Sequence, residues 1–317
     1  MRHPPAHASP ASARLATVLV AVLLLVTAAS LGLGAGGWSW PLIAALRVPR
    51  VLAGAGSGAL LAQAGLALQL LLRNPLADPY VLGASAGGGF GAIVVLVAWG
   101  GPLWLGSVGG ATAALALLLL IGRRSLASPH DEASAQLILI GAMLSALFGA
   151  GSTLLLALVP AQSLRGAVFW LVGDLSGARW GWVLCLMAAV AAVALRARAH
   201  ALDRVALGAE HAWLLGEPVG AIRVALVLLA ALATGAVVAQ AGALGFVGLV
   251  APHLLRLRGV VRMRQQAWAA PLLGAAMVVA ADAVARVIVS PYELPVGAIT
   301  ALLGAPLFIV LLGRQAR

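Results

Sequence analysis

The sequence predicts an all-α, polytopic membrane protein of about ten transmembrane helices. Three observations carry that prediction. Of 317 residues, 62% are hydrophobic and 9% charged, where a soluble domain carries about a quarter charged. The apolar residues fall in uncharged runs long enough to cross a ~30 Å hydrocarbon core as helices. The basic residues lie between those runs and favour one side, as cytoplasmic loops do.

Residues 1–14 are rich in Pro, Ala and His and read as a short cytoplasmic tail, leaving 15–317 as a single transmembrane domain. Leu15–Gly36 is longer than the apolar core of a secretion signal and reads as the first span. The stretch from Arg47 to Gly91 organises the rest. Val51–Leu72 carries no charge and is ended by Arg73-Asn74-Pro75, because proline donates no helix hydrogen bond and restrains the residue before it. Asp78 then suits an N-cap and Pro79 a first helical position, opening the third span, Tyr80–Trp99. Small residues recur four apart at Gly54 and Gly58, and at Gly83, Gly87 and Gly91. That spacing lets helices approach closely in lipid.

The further spans are Leu103–Gly122, Ala135–Val159, Trp182–Ala199, Ala221–Ala241, Phe246–Leu257, Ala267–Val289 and Val296–Gly313. The eighth is short and contains Pro252, which marks a distorted or partial crossing. Ten crossings place both termini on one side. Arg47, Arg50, Arg165, Arg179 and Arg286 then lie on the other side, and the remaining fifteen arginines on the side of the termini. Both termini are therefore expected in the cytoplasm of a multi-pass plasma-membrane protein. Ala59–Gly65 and Ala236–Gly242 agree at five of seven positions. They lie five spans apart and run in opposite directions, as a five-plus-five inverted repeat requires. Chance likeness of two Ala-rich helices is the other account.

Composition also excludes functions. The net charge of +11 comes from arginines scattered among apolar runs, not gathered on a soluble face, so no nucleic-acid partner is expected. Lysine is absent, and the phosphate-binding loop of ATPases needs Gly-Lys-Ser/Thr. Any ATP hydrolysis belongs to another subunit. Cys185 is the single cysteine and the six histidines show no ligand spacing, so no metal and no cofactor is expected on this chain. No nucleophile–base pair stands out, and no catalytic residue is assigned.

Three groups of residues stand out as candidate sites. The loop between spans six and seven holds a short helical stretch between Gly208 and Gly216, with Glu210, His211, Trp213 and Leu214. Exposed apolar residues on a short helix suit docking into a partner's groove, although a tryptophan also rests naturally at a lipid interface. On the far side, Arg47, Arg50 and Arg286 run against the positive-inside bias and suit carboxylate recognition. Asp282, four residues before Arg286, offers that arginine an internal partner instead. Span five carries Gly141, Ser145 and Gly149 at helical spacing, with Ser134 at its entrance and Ser152 and Thr153 further out. These residues suit a wide passage, or ordinary small-residue packing. His253, beside Pro252, reads as a packed, hydrogen-bonded residue at a kink in preference to a metal or proton site.

Arg47–Arg50, the turn Arg73-Asn-Pro-Leu-Ala-Asp-Pro79 with Leu82-Gly-Ala-Ser-Ala-Gly87, Gly245-Phe-Val-Gly-Leu-Val-Ala-Pro-His253, and Glu293-Leu-Pro-Val-Gly297 with Thr300-Ala-Leu-Leu-Gly-Ala-Pro306 resemble the permease subunit of ABC importers for iron-siderophores, haem and cobalamin. The resemblance covers about residues 40 to 315. It implies a homodimer with the path between protomers, two ATPase subunits holding ATP and Mg, and a periplasmic substrate-binding protein, all around a chain embedded in membrane lipid. It implies that Gly208–Gly216 holds the ATPase-coupling helices and that Arg47, Arg50 and Arg286 dock acidic knobs of the binding protein. It also places span five beside the path, with the loop before it at the inner gate. The alternative function is an ion-coupled secondary transporter, which needs ionisable residues near the midplane. Spans one to eight offer essentially none apart from His253.

Overall fold

The computed structural model describes residues 10–33, 38–127, 132–289 and 292–315. Thirteen helices carry the architecture, and no strand occurs among the described residues. In order they are α1 Pro10–Gly32, α2 Val48–Leu71, α3 Ala84–Trp99, α4 Leu103–Ile121, α5 Glu132–Leu156, α6 Ala161–Val172 and α7 Gly181–Ala197. They continue as α8 Ala199–Ala206, α9 Ala209–Leu214, α10 Val219–Ala241, α11 Val247–Leu257, α12 Met263–Val287 and α13 Val296–Gln315. Short helical turns at Trp40–Leu42, Ile43–Arg47, Pro79–Leu82 and Arg123–Ala127 join them.

Six stretches are long and apolar enough to cross a membrane: Arg14–Gly32, Trp40–Leu71, Leu103–Ile121, Ala135–Leu156, Val219–Ala241 and Met263–Val287. The α7–α8 pair, bent by 69°, adds a seventh. Three shorter apolar helices, Ala84–Trp99, Val247–Leu257 and Val296–Val310, complete the ten segments in the expected order. At ~1.5 Å per residue, α11 is about 16 Å long, roughly half the hydrocarbon thickness. The eighth span is thus partial, as its length and Pro252 led us to expect. Span three is broken: Gly83 takes φ +83°, between the turn Pro79–Leu82 and α3.

Two boundaries differ from the sequence reading. The first helix begins at Pro10, so the end of the expected tail is helical. Helix α6 falls in a stretch where no element was expected. The charge of Arg165 interrupts its apolar pattern, and the guanidinium sits over the Phe169 ring at 5.3 Å.

The centre of the fold is α2, nearly every residue of which from Val51 to Leu71 is buried. Helices α7, α10, α11 and α12 surround it. In lipid, apolar burial gives helices little reason to associate, so close backbone contact and dispersion must do so. The glycines supply that contact. A Cβ on Gly58 would lie 2.1 Å from the Gly274 carbonyl oxygen of α12, and one on Gly65 1.8 Å from that of Gly248 in α11. Gly87 and Gly91 of α3 meet Gly106 and Gly110 of α4 in the same way. The stretch Ala59–Gly65 lies in the middle of α2, whereas Ala236–Gly242 closes α10.

The sequence motifs prove to be the joints of this packing. Gln69 Nε2 donates to the carbonyls of Ala77 (3.3 Å), Gly248 (3.2 Å) and Leu249 (3.3 Å), tying the Arg73–Pro79 turn to α11. Leu244 N–H donates to Tyr80 Oη at 2.6 Å. The third motif closes on the same region, where Gly297 N–H donates to the Gly173 carbonyl at 3.1 Å.

Candidate functional site

Most arginines lie at one end of the bundle, here called the basic end. There the chain bends out of α7 into α8 and then into the one-and-a-half-turn helix α9. Two glycines frame α9, Gly208 at φ +138° and Gly216 at φ +81°, backbone conformations that L side chains rarely adopt. Ala209 and Ala212 are buried against the bundle, and Glu210 and His211 are exposed. Trp213, Leu214 and Leu215 stand 61%, 75% and 63% exposed. Leu207, just before, adds to the same exposed apolar group.

Helix α9 is held firmly. Arg204 pairs with Glu217 across its two ends, and Glu217 N–H donates to the Ala212 carbonyl at 3.0 Å. Asp203 Oδ1 of α8 accepts from Met263 N–H, the first residue of α12, at 2.8 Å. Asp203 and the exposed apolar helix are therefore mechanically joined to a 25-residue helix that runs to the opposite end.

At that far end the structure gives the three arginines partners within the chain. Arg47, Arg50 and Arg286 are buried, at 6%, 8% and 6% exposure. Arg50 Nε meets Asp282 Oδ1 at 2.8 Å, and its Nη1 meets Glu293 Oε2 at 2.6 Å. Arg286 Nε lies 3.1 Å from Asp282 Oδ2, the internal pair that the four-residue spacing allowed. Arg286 also donates to the Leu33 carbonyl (3.0 Å) and the Ser30 carbonyl (2.9 Å), and Arg47 to the Leu31 carbonyl (2.8 Å). Two guanidiniums thus cap the unsatisfied carbonyls at the C-terminal end of α1, where a helix favours cations. All three are buried and partnered within the chain. They bind α1, α2 and α12 to each other.

The expected path residues divide. A Cβ on Gly141 would lie 2.3 Å from the Val81 carbonyl oxygen. Ser145 Oγ donates to the Gly141 carbonyl at 2.9 Å and sits by the Tyr80 carbonyl. Both residues are packing contacts of α5 with the Pro79–Leu82 turn. Ser152 is buried, with Oγ on the Phe148 carbonyl at 2.8 Å. Gly149 faces open space, and Thr153 is exposed beside it with Oγ1 on the Gly149 carbonyl at 3.0 Å. The open face of α5 continues through Leu139, Met143, Leu147 and Leu154. The side chain of Ser134 lies outside the described residues.

Sequence reasoning missed a cavity of about 520 Å³ at the far end, bounded by Trp104, Trp170, Asp174, Arg179, Trp180 and Gln240. Trp104 and Trp180 meet edge to face with ring centres 4.9 Å apart. Only the recurrence of tryptophan at span ends pointed there. His253 is 2% exposed, stacked edge-on to Phe308 at 5.4 Å. It is thus packed beside Pro252 as expected, but it is not hydrogen-bonded, since neither ring nitrogen has a partner among the described residues. Among the described residues no three of His, Cys, Asp and Glu come together as a metal site.

A ten-segment helical bundle with a close-packed central helix and an exposed apolar helix at its basic end has the architecture of a membrane transport permease. The chain belongs to the FecCD transport family, whose model matches residues 13–314. It is 38% identical over 281 residues to the uncharacterised ABC transporter permease protein YvrB of Bacillus subtilis, spanning 86% of this chain and 78% of that one. It is 37% identical over 295 residues to the vitamin B12 import system permease protein BtuC of Yersinia enterocolitica, spanning 87% and 86%. A solved structure described as an inward-facing conformation of a metal-chelate type ABC transporter superposes with a TM-score of 0.84 at 30% identity. That match covers 95% of this chain and 99% of the other.

Proposed function

We propose that this chain is the membrane permease of an ATP-driven importer that moves an iron chelate (ferric siderophore or haem) or cobalamin from periplasm to cytoplasm. The relatives' import of vitamin B12 and transport of a metal chelate support that substrate class. In this reading the basic end and both termini face the cytoplasm, in line with the bias of fifteen arginines to five. Residues 1–14 are the cytoplasmic tail and the rest a single transmembrane domain. Two copies sit in the bilayer around a shared path, two ATPase subunits bind ATP and Mg below, and a periplasmic binding protein docks above.

The observation that carries this reading is α9. Trp213, Leu214 and Leu215 form an exposed apolar group fixed between two left-handed glycines on the arginine-rich end. A group of that kind at the water-facing end of a membrane protein favours a protein groove over solvent. Gly208, Glu210, His211, Trp213, Leu214 and Gly216 thereby form the ATPase contact. Arg47, Arg50 and Arg286 shape the surface on which the binding protein rests without offering it free charge. Gly149 and Thr153, on the open face of α5, line the passage. The test is uptake into proteoliposomes holding the permease, the ATPase encoded beside it and the cognate binding protein. Uptake that needs ATP on the ATPase side supports the reading. Uptake that persists without any ATPase subunit refutes it in favour of an ion-coupled transporter.

A further inference from the structure

Two apolar grooves flank the basic end of α10, and no contact described so far uses them. One, of about 240 Å³, lies between α10 and the α7–α8 elbow and is lined by Leu195, Leu202, Ile222 and Leu226 among others. The second, of about 660 Å³, lies between α10 and the end of α4, lined by Leu119, Leu126, Val224 and Leu228. They share the small residues Ala221 and Ala225, which form a low ridge between them. Each has one arginine on its wall, Arg198 in the first and Arg123 in the second.

The positions of these arginines set their depth. Arg198 stands at the 69° bend where the chain leaves α7 for α8. Arg123 follows Gly122, the C-cap of α4, and opens the one-turn helix Arg123–Ala127. Arg123 follows the end of one span, Arg198 stands at the bend of the α7–α8 pair, and both are exposed. Among the described residues neither forms an ion pair. The nearby start of α10 has no side-chain cap, which adds to the positive field there.

We infer that these paired grooves hold one anionic diacyl phospholipid of the cytoplasmic leaflet, its two chains straddling the Ala221–Ala225 ridge and its phosphate held by Arg123 and Arg198. Charge complementarity selects the occupant. Two exposed guanidiniums with no ion pair among the described residues attract an anionic headgroup, and two aliphatic clefts separated by a ridge of alanines match two chains. A protein partner would have to bury both charges against acids while filling clefts that open toward acyl chains. Only the name of the leaflet rests on the proposed orientation. Binding itself does not depend on the importer reading, so the two fail separately.

The test is native mass spectrometry of the full chain in detergent, titrated with phosphatidylglycerol, with phosphatidylcholine of the same acyl chains, and with inorganic phosphate. A gain of roughly fivefold in affinity per arginine is expected from the usual attraction of a basic residue to anionic lipid. The wild type should therefore prefer phosphatidylglycerol over phosphatidylcholine by at least tenfold, and inorganic phosphate should not displace it at equal concentration. R123Q/R198Q should abolish the preference while leaving the elution volume and thermal midpoint unchanged. A225F, which fills the shared wall, should weaken both lipids alike. Three results overturn the inference. They are no headgroup preference in the wild type, a preference that survives R123Q/R198Q, and displacement by inorganic phosphate, which reduces the site to a plain anion contact. Loss of lipid on dimerisation, with A225F breaking the dimer, would assign the grooves to a second copy and overturn it too.

Discussion

Asp282 lies between two guanidiniums inside a membrane helix, and replacing it should cost more than any other single change at the far end. Its carboxylate is 2.8 Å from Arg50 and 3.1 Å from Arg286, with a side chain 2% exposed. At an effective dielectric constant of ~20, a unit pair at that shorter distance is worth about 6 kcal/mol of Coulomb attraction. Desolvation offsets much of this, so the pair's net worth is small, but removing one partner strands the others and costs about 3–5 kcal/mol. Asp282→Asn keeps shape and one acceptor yet leaves Arg50 and Arg286 facing each other. Glu293→Gln is the control. Glu293 is half exposed where it meets Arg50, and pairs of that kind are worth about 1 kcal/mol or less. Unfolding in mixed micelles with rising SDS, followed by the fluorescence of the nine tryptophans, should place D282N well below wild type and E293Q close to it. Equal midpoints for D282N and wild type, or a larger loss for E293Q, would refute the buried-cluster argument. The same geometry changes what reversing Arg50 would test. R50E sets a third carboxylate against Asp282 and Glu293, so it should fail in folding and not selectively in docking.

W213D/L214D should reduce co-purification of the ATPase subunit several-fold while leaving the thermal midpoint unchanged, since both side chains are mostly exposed. Retention at the wild-type ratio would remove α9 as the contact. G58A drives a methyl group into the Gly274 carbonyl and should destabilise by about 1–3 kcal/mol, whereas G149A meets open space and should be neutral. The same SDS titration distinguishes them. S152A should leave uptake unchanged because its hydroxyl returns to a carbonyl of its own helix, and S145A nearly so, since its shorter bond is to Gly141 of the same helix and its contact with the Tyr80 carbonyl is long at 3.5 Å. T153W, on the open face of α5, should slow uptake if that face borders the passage.

Much of this fold was legible because the bilayer leaves few choices. Uncharged runs bounded by arginines fixed the ten segments, and Arg73-Asn74-Pro75 with Asp78-Pro79 fixed the break between spans two and three. Gly208 and Gly216 framed the short helix α9 because their backbone role does not depend on distant neighbours. What the sequence did not show were contacts between residues far apart in it. Arg50 finds Asp282 and Glu293 more than 230 residues away, so its position before span two resembled a surface charge. Gly141 and Ser145 share the spacing of a pathway stripe, but the Pro79–Leu82 turn packs on them, Val81 on Gly141 and Tyr80 on Ser145. Helix α6 escaped notice because Arg165 breaks its apolar run, and the period alone does not show that Phe169 covers that charge. A lipid groove has no sequence signature, since it exists only between helices.

The far-end cluster and the docking helix are attached to the same rod. Helix α12 begins at Met263, whose amide is capped by Asp203 of α8, and it carries Asp282 and Arg286 near its other end. At ~1.5 Å per residue its 25 residues span about 37 Å, nearly the full depth of the bilayer. A helix of that length, packed backbone to backbone against α2 at Gly58 and Gly274, transmits displacement as a rigid body unless it bends at Pro271, its one internal proline. Motion of α9 therefore reaches the far end only if the α8–α12 junction holds. Asp203→Ala removes the one side-chain hydrogen bond described there and leaves the apolar face of α9 untouched. The expected result differs from that of W213D/L214D. The ATPase should still bind the permease and hydrolyse ATP, but transport per ATP should fall several-fold. D203N, which keeps an acceptor for the Met263 amide, should recover most of it. If D203A transports as efficiently as wild type, the force passes through α10, which follows α9 directly in the chain, and α12 serves only as scaffold.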